Sequence, residues 1–249
     1  MGISQQQHPI QRGRIMLVTN FNFKYLLYKT ILPFFQFYDT GNMHPIRERA
    51  KRSLQRSVDY IDNHMHKAVG FETQKELILH ATNTVKIPGT YLEFGVFTGG
   101  TIRFMAKIKP DIQFHGFDSF EGLPDDWFGM PLIKNSFSLQ GNLPKVPKNV
   151  ALYKGWFNQT VPAWCHAHED KVAFIHIDCD LYSSTVDILE ALVGRLQIGT
   201  VILFDEYFNY PNWENHEYKA WQEFVQKYSI QYAYIGFARQ QVAVKIISL

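Results

Sequence analysis

The chain has 249 residues, a formal net charge of +2, 46% apolar residues and 15% aromatic residues. This length fits one large α/β domain with extensions, and the near-neutral charge gives no reason to expect a nucleic-acid partner. The two cysteines, Cys165 and Cys179, are too few for a disulfide framework or a structural zinc site. We therefore expect a protein of a reducing, cytoplasmic environment.

The first 66 residues read as an N-terminal extension. Basic residues outnumber acidic ones over residues 1–60, which fits either a solvated region or an arm that docks on a partner. Residues 21–38 are rich in aromatics but interrupted by Lys24, Lys29 and Pro33, so we expect no membrane span. Because this aromatic face is too apolar to remain in water, residues 21–66 are expected to fold over a cleft as a mobile lid.

Helical spacing of apolar residues then predicts two helices. The first covers residues 45–66, where apolar side chains recur at Ile46, Ala50, Leu54, Val58 and Ile61. The second covers residues 73–84 and ends before the Pro88-Gly89 turn.

From residue 91 onward strands and helices alternate, which indicates a mostly parallel sheet with helices on both faces. Strands are predicted at 91–94, 112–117, 151–153, 172–177 and 200–204, helices at 101–108 and 217–228, and a final hairpin at 231–235 and 242–247. The stretch 124–149 has no periodicity, and a loop of this length inside a domain is usually functional or disordered. We assign residues 67–249 to a single domain.

The first strand ends in Glu93-x-Gly95-x-x-x-Gly99 and enters a helical pattern. Glycines allow close backbone approach to a ligand, and the helix N-terminus offers unpaired N–H groups. An acid at the strand tip would repel a pyrophosphate but suits a ligand that carries an amino group and a sulfonium. The alternative is a tight turn without a ligand.

Six carboxylates fall at the predicted strand tips, where ligands bind in such sheets: Glu93, Asp118, Asp178, Asp180, Asp205 and Glu206. Asp118 lies 25 residues after Glu93, an interval that suits a carboxylate gripping ribose hydroxyls; capping the following turn is its alternative role. Asp178, Asp205 and Glu206 offer hard oxygen ligands for Mg²⁺, with Mn²⁺ or Ca²⁺ also open. Asp180 is placed to take a proton from an activated hydroxyl.

Five motifs in order carry a resemblance to a known family. They are Glu93-x-Gly95-Val96-Phe97-x-Gly99, Phe117-Asp118-Ser119-Phe120-Glu121-Gly122-Leu123-Pro124, Gly155-Trp156-Phe157, His176-Ile177-Asp178-Cys179-Asp180-Leu181-Tyr182 and Phe204-Asp205-Glu206-Tyr207. Together they resemble the macrocin O-methyltransferase family over roughly residues 70–247. The resemblance implies a Rossmann-like class I fold and an S-adenosylmethionine- and Mg²⁺-dependent transfer of a methyl group to a sugar hydroxyl of a natural product.

The resemblance also implies roles for individual residues. It implies that Glu93, Gly95, Asp118 and Ser119 hold the cofactor. The predicted cofactor site also includes Thr98, Gly99, Thr101, Gly155, Trp156 and Phe157. Asp178, Asp205 and Glu206 are assigned to the metal and Asp180 to general-base catalysis. The family usually has an aspartate where this chain has Glu206, so direct ligation by Glu206 is open. The expected partner is a small-molecule hydroxyl acceptor, with a homodimer left open.

Three other functions stay open from the sequence. A phenolic or lipid hydroxyl could replace the sugar as acceptor. A nucleotide-binding oxidoreductase could use the same sheet, although Glu93 disfavours a pyrophosphate. A non-catalytic binding module is disfavoured because an inactive protein has no reason to keep six mutually repelling acids.

Overall fold

The structure, a computed structural model, describes residues 44–249. In chain order its helices are α1 Pro45–His64, α2 Gln74–Thr84, α3 Gly100–Ile108, α4 Phe157–Ala167, α5 Tyr182–Leu192 and α6 Glu217–Tyr228, with 3₁₀ turns at Val193–Arg195 and Trp213–Asn215. The strands are β1 Val69–Gly70, β2 Thr90–Phe94, β3 Phe114–Asp118, β4 Val150–Lys154, β5 Val172–Ile177, β6 Val201–Phe204, β7 Gln231–Phe237 and β8 Val242–Ser248. Within these residues no helix is long and apolar enough to cross a membrane.

The strands form one sheet in the order β1-β7-β8-β6-β5-β2-β3-β4. Strand β8 runs antiparallel to both of its neighbours, β6 and β7, and the other pairs are parallel. The chain moves outward from β2 through β3 to β4 and then returns to place β5 on the other side of β2. This reversal opens a crevice at the C-terminal ends of β2 and β5, where open α/β sheets bind ligands.

Both faces of the central strands are buried, as expected of parallel strands covered by helices on each side. In β5, Ile175 and Ile177 belong to one apolar cluster, and Ala173 and Phe174 belong to a second cluster. The whole of β5 is buried and reads as a continuous apolar run broken by His176. The sheet therefore holds the strand tips rigidly.

The predicted strands and helices are confirmed to within about two residues at their ends. Thr73 caps α2: its hydroxyl accepts a hydrogen bond from the Glu76 N–H at 3.3 Å, and Glu76 accepts one from the Thr73 N–H. The stretch 124–149 contains no helix or strand, as predicted, apart from a single bridge between Trp127 and Leu132. Helices α4 and α5 are absent from the sequence-based assignment. Pro162 lies inside α4, and a β-branched and serine-rich start weakens the helical signal of α5.

Helix α1 buries a different face from the one its apolar spacing suggests. Leu54 and Val58 are 51% and 41% exposed, whereas Ser53 and Ser57 are buried. The Ser57 hydroxyl accepts a hydrogen bond from the Asn209 N–H at 2.9 Å, which fixes the polar face inward. Residues 50–64 line no part of the cavity described below. The segment 21–43 of the predicted lid lies outside the described residues.

Candidate functional site

A cavity of about 450 Å³ opens at the C-terminal ends of the strands. Most of the residues predicted to form the site line it: Gly95, Thr98, Thr101, Asp118, Ser119, Gly155, Trp156, Phe157, Asp178, Asp180 and Glu206. Three do not, namely Glu93, Gly99 and Asp205. The topology thus brings together side chains from five segments that are far apart in sequence.

Gly95 joins three strand tips. Its φ is +92°, and a Cβ built on it would lie 1.6 Å from the backbone oxygen of Asp178. Its N–H also donates to the Phe117 carbonyl at 3.0 Å, and the Asp178 N–H donates to the Phe94 carbonyl at 2.8 Å. Glycine is required here because no other residue allows so close an approach in this backbone conformation. Gly99 ends the same turn as the N-cap of α3, with a φ of +79°.

Asp118 is held by the backbone on both oxygens. Its Oδ2 accepts from the Phe97 N–H at 2.7 Å, and its Oδ1 accepts from the Phe120 N–H at 2.6 Å. Burial raises its pKa, and the two N–H donors oppose that rise. Each carboxylate oxygen has a second lone pair. Asp118 therefore shapes the turn and can still accept hydrogen bonds from a ligand in the cavity.

Glu93 is fully buried beneath the cavity. Among the described residues neither of its carboxylate oxygens has a hydrogen-bond partner, and its Oε2 lies 3.7 Å from His176 Nδ1. Burial raises its pKa, with His176 acting in the opposite direction. Its assignment to the cofactor site stays a prediction, and in this structure its nearest charged neighbour is His176.

Three carboxylates meet at the cavity wall: Asp178, Asp180 and Glu206 each offer an oxygen within 4.8 Å of those of the other two. Burial raises the pKa of all three, reinforced by Asp205, and the pKa of Asp180 is about 7. Asp180 has a φ of +67°, a backbone conformation that aspartate tolerates better than most residues.

Asp205 lies beside this group and also has hydrogen-bond partners outside it. Its Oδ1 accepts from Gln74 Nε2 and lies 3.3 Å from His176 Nε2, and its Oδ2 accepts from Gln241 Nε2 at 3.2 Å. Burial acts to raise its pKa, but the hydrogen bond and charge of His176, with Gln241, hold that pKa below its usual value. Conversely, burial acts to lower the pKa of His176, and Asp205 and Glu93 raise it well above its usual value. Asp205 and His176 therefore each favour the charged form of the other.

The donor set fits a hard divalent cation. Among the described residues that line the cavity there is no lysine, arginine or histidine to balance the acids, and Glu206 Oε2 is buried without a hydrogen-bond partner. Buried acids of this kind are stabilised by a cation, and carboxylate oxygens suit Mg²⁺. His176, Asp178 and Asp205 also lie close enough to form a second, mixed nitrogen and oxygen set. The two sets share Asp178.

Several lining residues were missed by the sequence reasoning. Phe97 and Phe137 pack edge to face with ring centroids 5.6 Å apart, and Trp127 and Met130 extend this apolar wall. Trp127, Met130 and Phe137 come from the 124–149 stretch. The length of this stretch was the signal in the sequence that it contributes to a site. His176 stands two residues before Asp178 in one of the motifs given above. The sequence therefore contained a signal that this histidine lies close to the acids.

The sheet order, the antiparallel β8 and the cavity at the strand tips define a class I methyltransferase fold. The calicheamicin methyltransferase CalS11 has a TM-score of 0.57 at 20% identity, covering 80% of this chain and 91% of that chain. The O-methyltransferase NovP has a TM-score of 0.51 at 23% identity, covering 70% and 77%. The predicted fold class is confirmed.

Residues 128–235 match the family model of the macrocin-O-methyltransferases (TylF), so the resemblance is confirmed. A Streptomyces olivaceus protein, 8-demethyl-8-(2,3-dimethoxy-alpha-L-rhamnosyl)-tetracenomycin-C 4'-O-methyltransferase, is 31% identical over 146 residues, or 49% of this chain and 54% of that protein. Demethyldecarbamoylnovobiocin O-methyltransferase of Streptomyces niveus is 30% identical over 158 residues, or 54% and 59%. The chain thus spans little more than half the length of these relatives.

Proposed function

We propose that the chain is a metal-dependent O-methyltransferase that moves a methyl group from S-adenosylmethionine to a hydroxyl of a sugar or glycosylated natural product. The observation that carries this proposal is the shared cavity: the glycine turn after β2 and the acids after β5 and β6 open onto the same space. The names of the relatives, each an O-methyltransferase of a natural product, support the acceptor class.

The cofactor would lie along the tips of β2, β3 and β4. Gly95, Thr98 and Thr101 offer backbone and hydroxyl groups at the start of α3, while Asp118 accepts hydrogen bonds from the ribose. Trp156, 38% exposed, offers an aromatic face at the same end of the cavity. Apolar groups such as Phe97 and Phe137 would exclude water from the sulfonium.

The metal would be held by Asp178 and Glu206, with Asp205 within reach of Asp178 and Asp180 beside the ion as the proton acceptor. Gln74, His176 and Gln241 would hold Asp205 in place, and each of its oxygens keeps a second lone pair for the ion. Glu206 would ligate directly, because its Oε2 has no other partner among the described residues.

When bound, S-adenosylmethionine supplies an electrophilic methyl group and a divalent cation lowers the pKa of the acceptor hydroxyl. Asp180 would take the hydroxyl proton as the acceptor oxygen bonds to the methyl carbon. The leaving group would be S-adenosylhomocysteine, whose sulfur would keep the electron pair of the carbon–sulfur bond. The rigid strand tips hold the reacting groups in place, and such placement can account for a large part of the rate.

Two measurements test the proposal. Calorimetry with S-adenosylhomocysteine should show binding that Asp118→Ala weakens by about 1–3 kcal/mol, the scale of a hydrogen bond to a charged group. Mass spectrometry should then detect a gain of one methyl group on a glycoside acceptor such as 8-demethyl-8-(2,3-dimethoxy-alpha-L-rhamnosyl)-tetracenomycin C, with EDTA abolishing the product and Mg²⁺ restoring it. Absence of S-adenosylhomocysteine binding would refute the proposal, and full activity in EDTA would refute its metal part.

A further inference from the structure

A second cavity, of about 470 Å³, lies on the other side of the segments that wall the first. Leu123, Pro124 and Trp127 line the first cavity, whereas the intervening Asp125 and the adjacent Phe128 line the second. After β5 the same division occurs, because Asp180 lines the first cavity and the next residues, Leu181 to Ser183, line the second. The second cavity therefore adjoins the end of the site that carries the acids.

The chemistry of the second cavity suits a hydroxyl-rich ring. His216, 6% exposed, places its Nε2 3.0 Å from the Phe128 carbonyl, and its Nδ1 is buried without a partner among the described residues. The Asn212 amide also donates to the Phe128 carbonyl at 3.2 Å, so His216 and Asn212 together fix the backbone that carries the Phe128 ring. Asp125 adds carboxylate acceptors, and Asn215 adds an amide.

Donors and an apolar face complete the lining. Leu181, the N-cap of α5, makes no side-chain capping bond, so the first turn of α5 presents N–H groups near Tyr182 and Ser183. Phe128 is 72% exposed although it is a large apolar side chain. An aromatic face beside clustered hydroxyl-binding groups matches a sugar ring, which has C–H bonds on its faces and hydroxyls at its edge.

We propose that the second cavity binds a sugar ring of the acceptor, beyond the hydroxyl that receives the methyl group. This inference rests on the proposed function and extends it to a specificity-determining subsite. It assigns Phe128 as the platform for the ring and Asp125 and Asn215 as partners for its hydroxyls. The subsite would select glycosylated acceptors over phenolic or lipid ones.

Saturation-transfer NMR with methyl α-L-rhamnopyranoside as the probe tests the subsite without turnover. The wild-type protein, loaded with S-adenosylhomocysteine, should show transfer to the glycoside. Phe128→Ala combined with Asp125→Asn should raise the Kd about tenfold, which corresponds to ~1.4 kcal/mol. Both side chains are exposed, so the double variant should keep the melting temperature of the wild type.

Ile133→Ala is the matched control. Ile133 lies in the same stretch, is 68% exposed and lines neither cavity, so its variant should bind the probe as the wild type does. No transfer in the wild type, or an unchanged Kd in the double variant, would overturn the subsite. Calorimetry with S-adenosylhomocysteine alone tests the proposed function. A protein that binds S-adenosylhomocysteine but not the glycoside would therefore refute the subsite and leave the proposed function standing.

Discussion

Glu206→Gln should stabilise the metal-free protein and weaken its binding of Mg²⁺. The substitution keeps the shape of the side chain and removes one charge from a group whose oxygens lie within 4.8 Å of one another. At an effective dielectric constant of about 20, each fully ionised pair at that distance repels by about 3.5 kcal/mol. Burial and the neighbouring acids raise the pKa of Glu206, which shows that its charged form is disfavoured at this position. We therefore expect a gain of about 1–3 kcal/mol in the free energy of unfolding.

Thermal melting in EDTA measures the first effect, since 1 kcal/mol shifts the melting temperature of a domain of this size by about 2–4 °C. Titration calorimetry with Mg²⁺ measures the second, and loss of a direct ligand should weaken binding at least about tenfold. Glu72→Gln, which neutralises an exposed glutamate outside both cavities, should change neither quantity. A lower melting temperature in EDTA together with unchanged Mg²⁺ affinity would show that Glu206 does not belong to a metal site.

Gly95→Ala should cost about 3 kcal/mol or more in urea unfolding, because its Cβ would overlap the Asp178 oxygen at a positive φ; Gly194→Ala, where a Cβ meets open space, should be tolerated. Asp180→Asn should lower kcat by about 10²–10⁴-fold while S-adenosylhomocysteine affinity stays within about twofold, and an unchanged kcat would remove Asp180 from proton transfer. Burial lowers the pKa of His115 to about 4, so the unfolded chain binds the proton first as the pH falls. The free energy of unfolding should therefore fall as the pH drops from about 6.5 to about 4. In His115→Gln this fall should be smaller, as urea unfolding at a series of pH values would measure.

The sheet and the location of the site could be predicted because their signals are local in sequence. An apolar run that ends in an acid marks each central strand, and parallel connection brings the C-terminal ends of such strands to one edge. The carboxylates at the ends of β5 and β6 therefore had to lie near one another. The turn after β2 could likewise be predicted from its glycines.

The orientation of Asp205 could not be predicted, because its partners come from distant elements. Gln74 lies 131 residues away and Gln241 lies 36 residues away, and no motif links either to the acid. The prediction of which face of α1 is buried was wrong for a related reason. The apolar spacing favours Leu54 and Val58, but hydrogen bonding of Ser57 to the Asn209 N–H outweighs it. A pattern within one helix carries no information about such a partner.

The 1.6 Å that separates a hypothetical Gly95 Cβ from the Asp178 carbonyl has a consequence for protein engineering. The turn proposed to bind the nucleoside and the strand end proposed to bind the ion touch through main-chain atoms, so side-chain substitutions cannot adjust the spacing between them. Transplanting the β2 turn from a relative into this chain should succeed only when the end of β5 is exchanged with it. Specificity for the acceptor, which depends on the 124–149 stretch, should remain free to be redesigned separately.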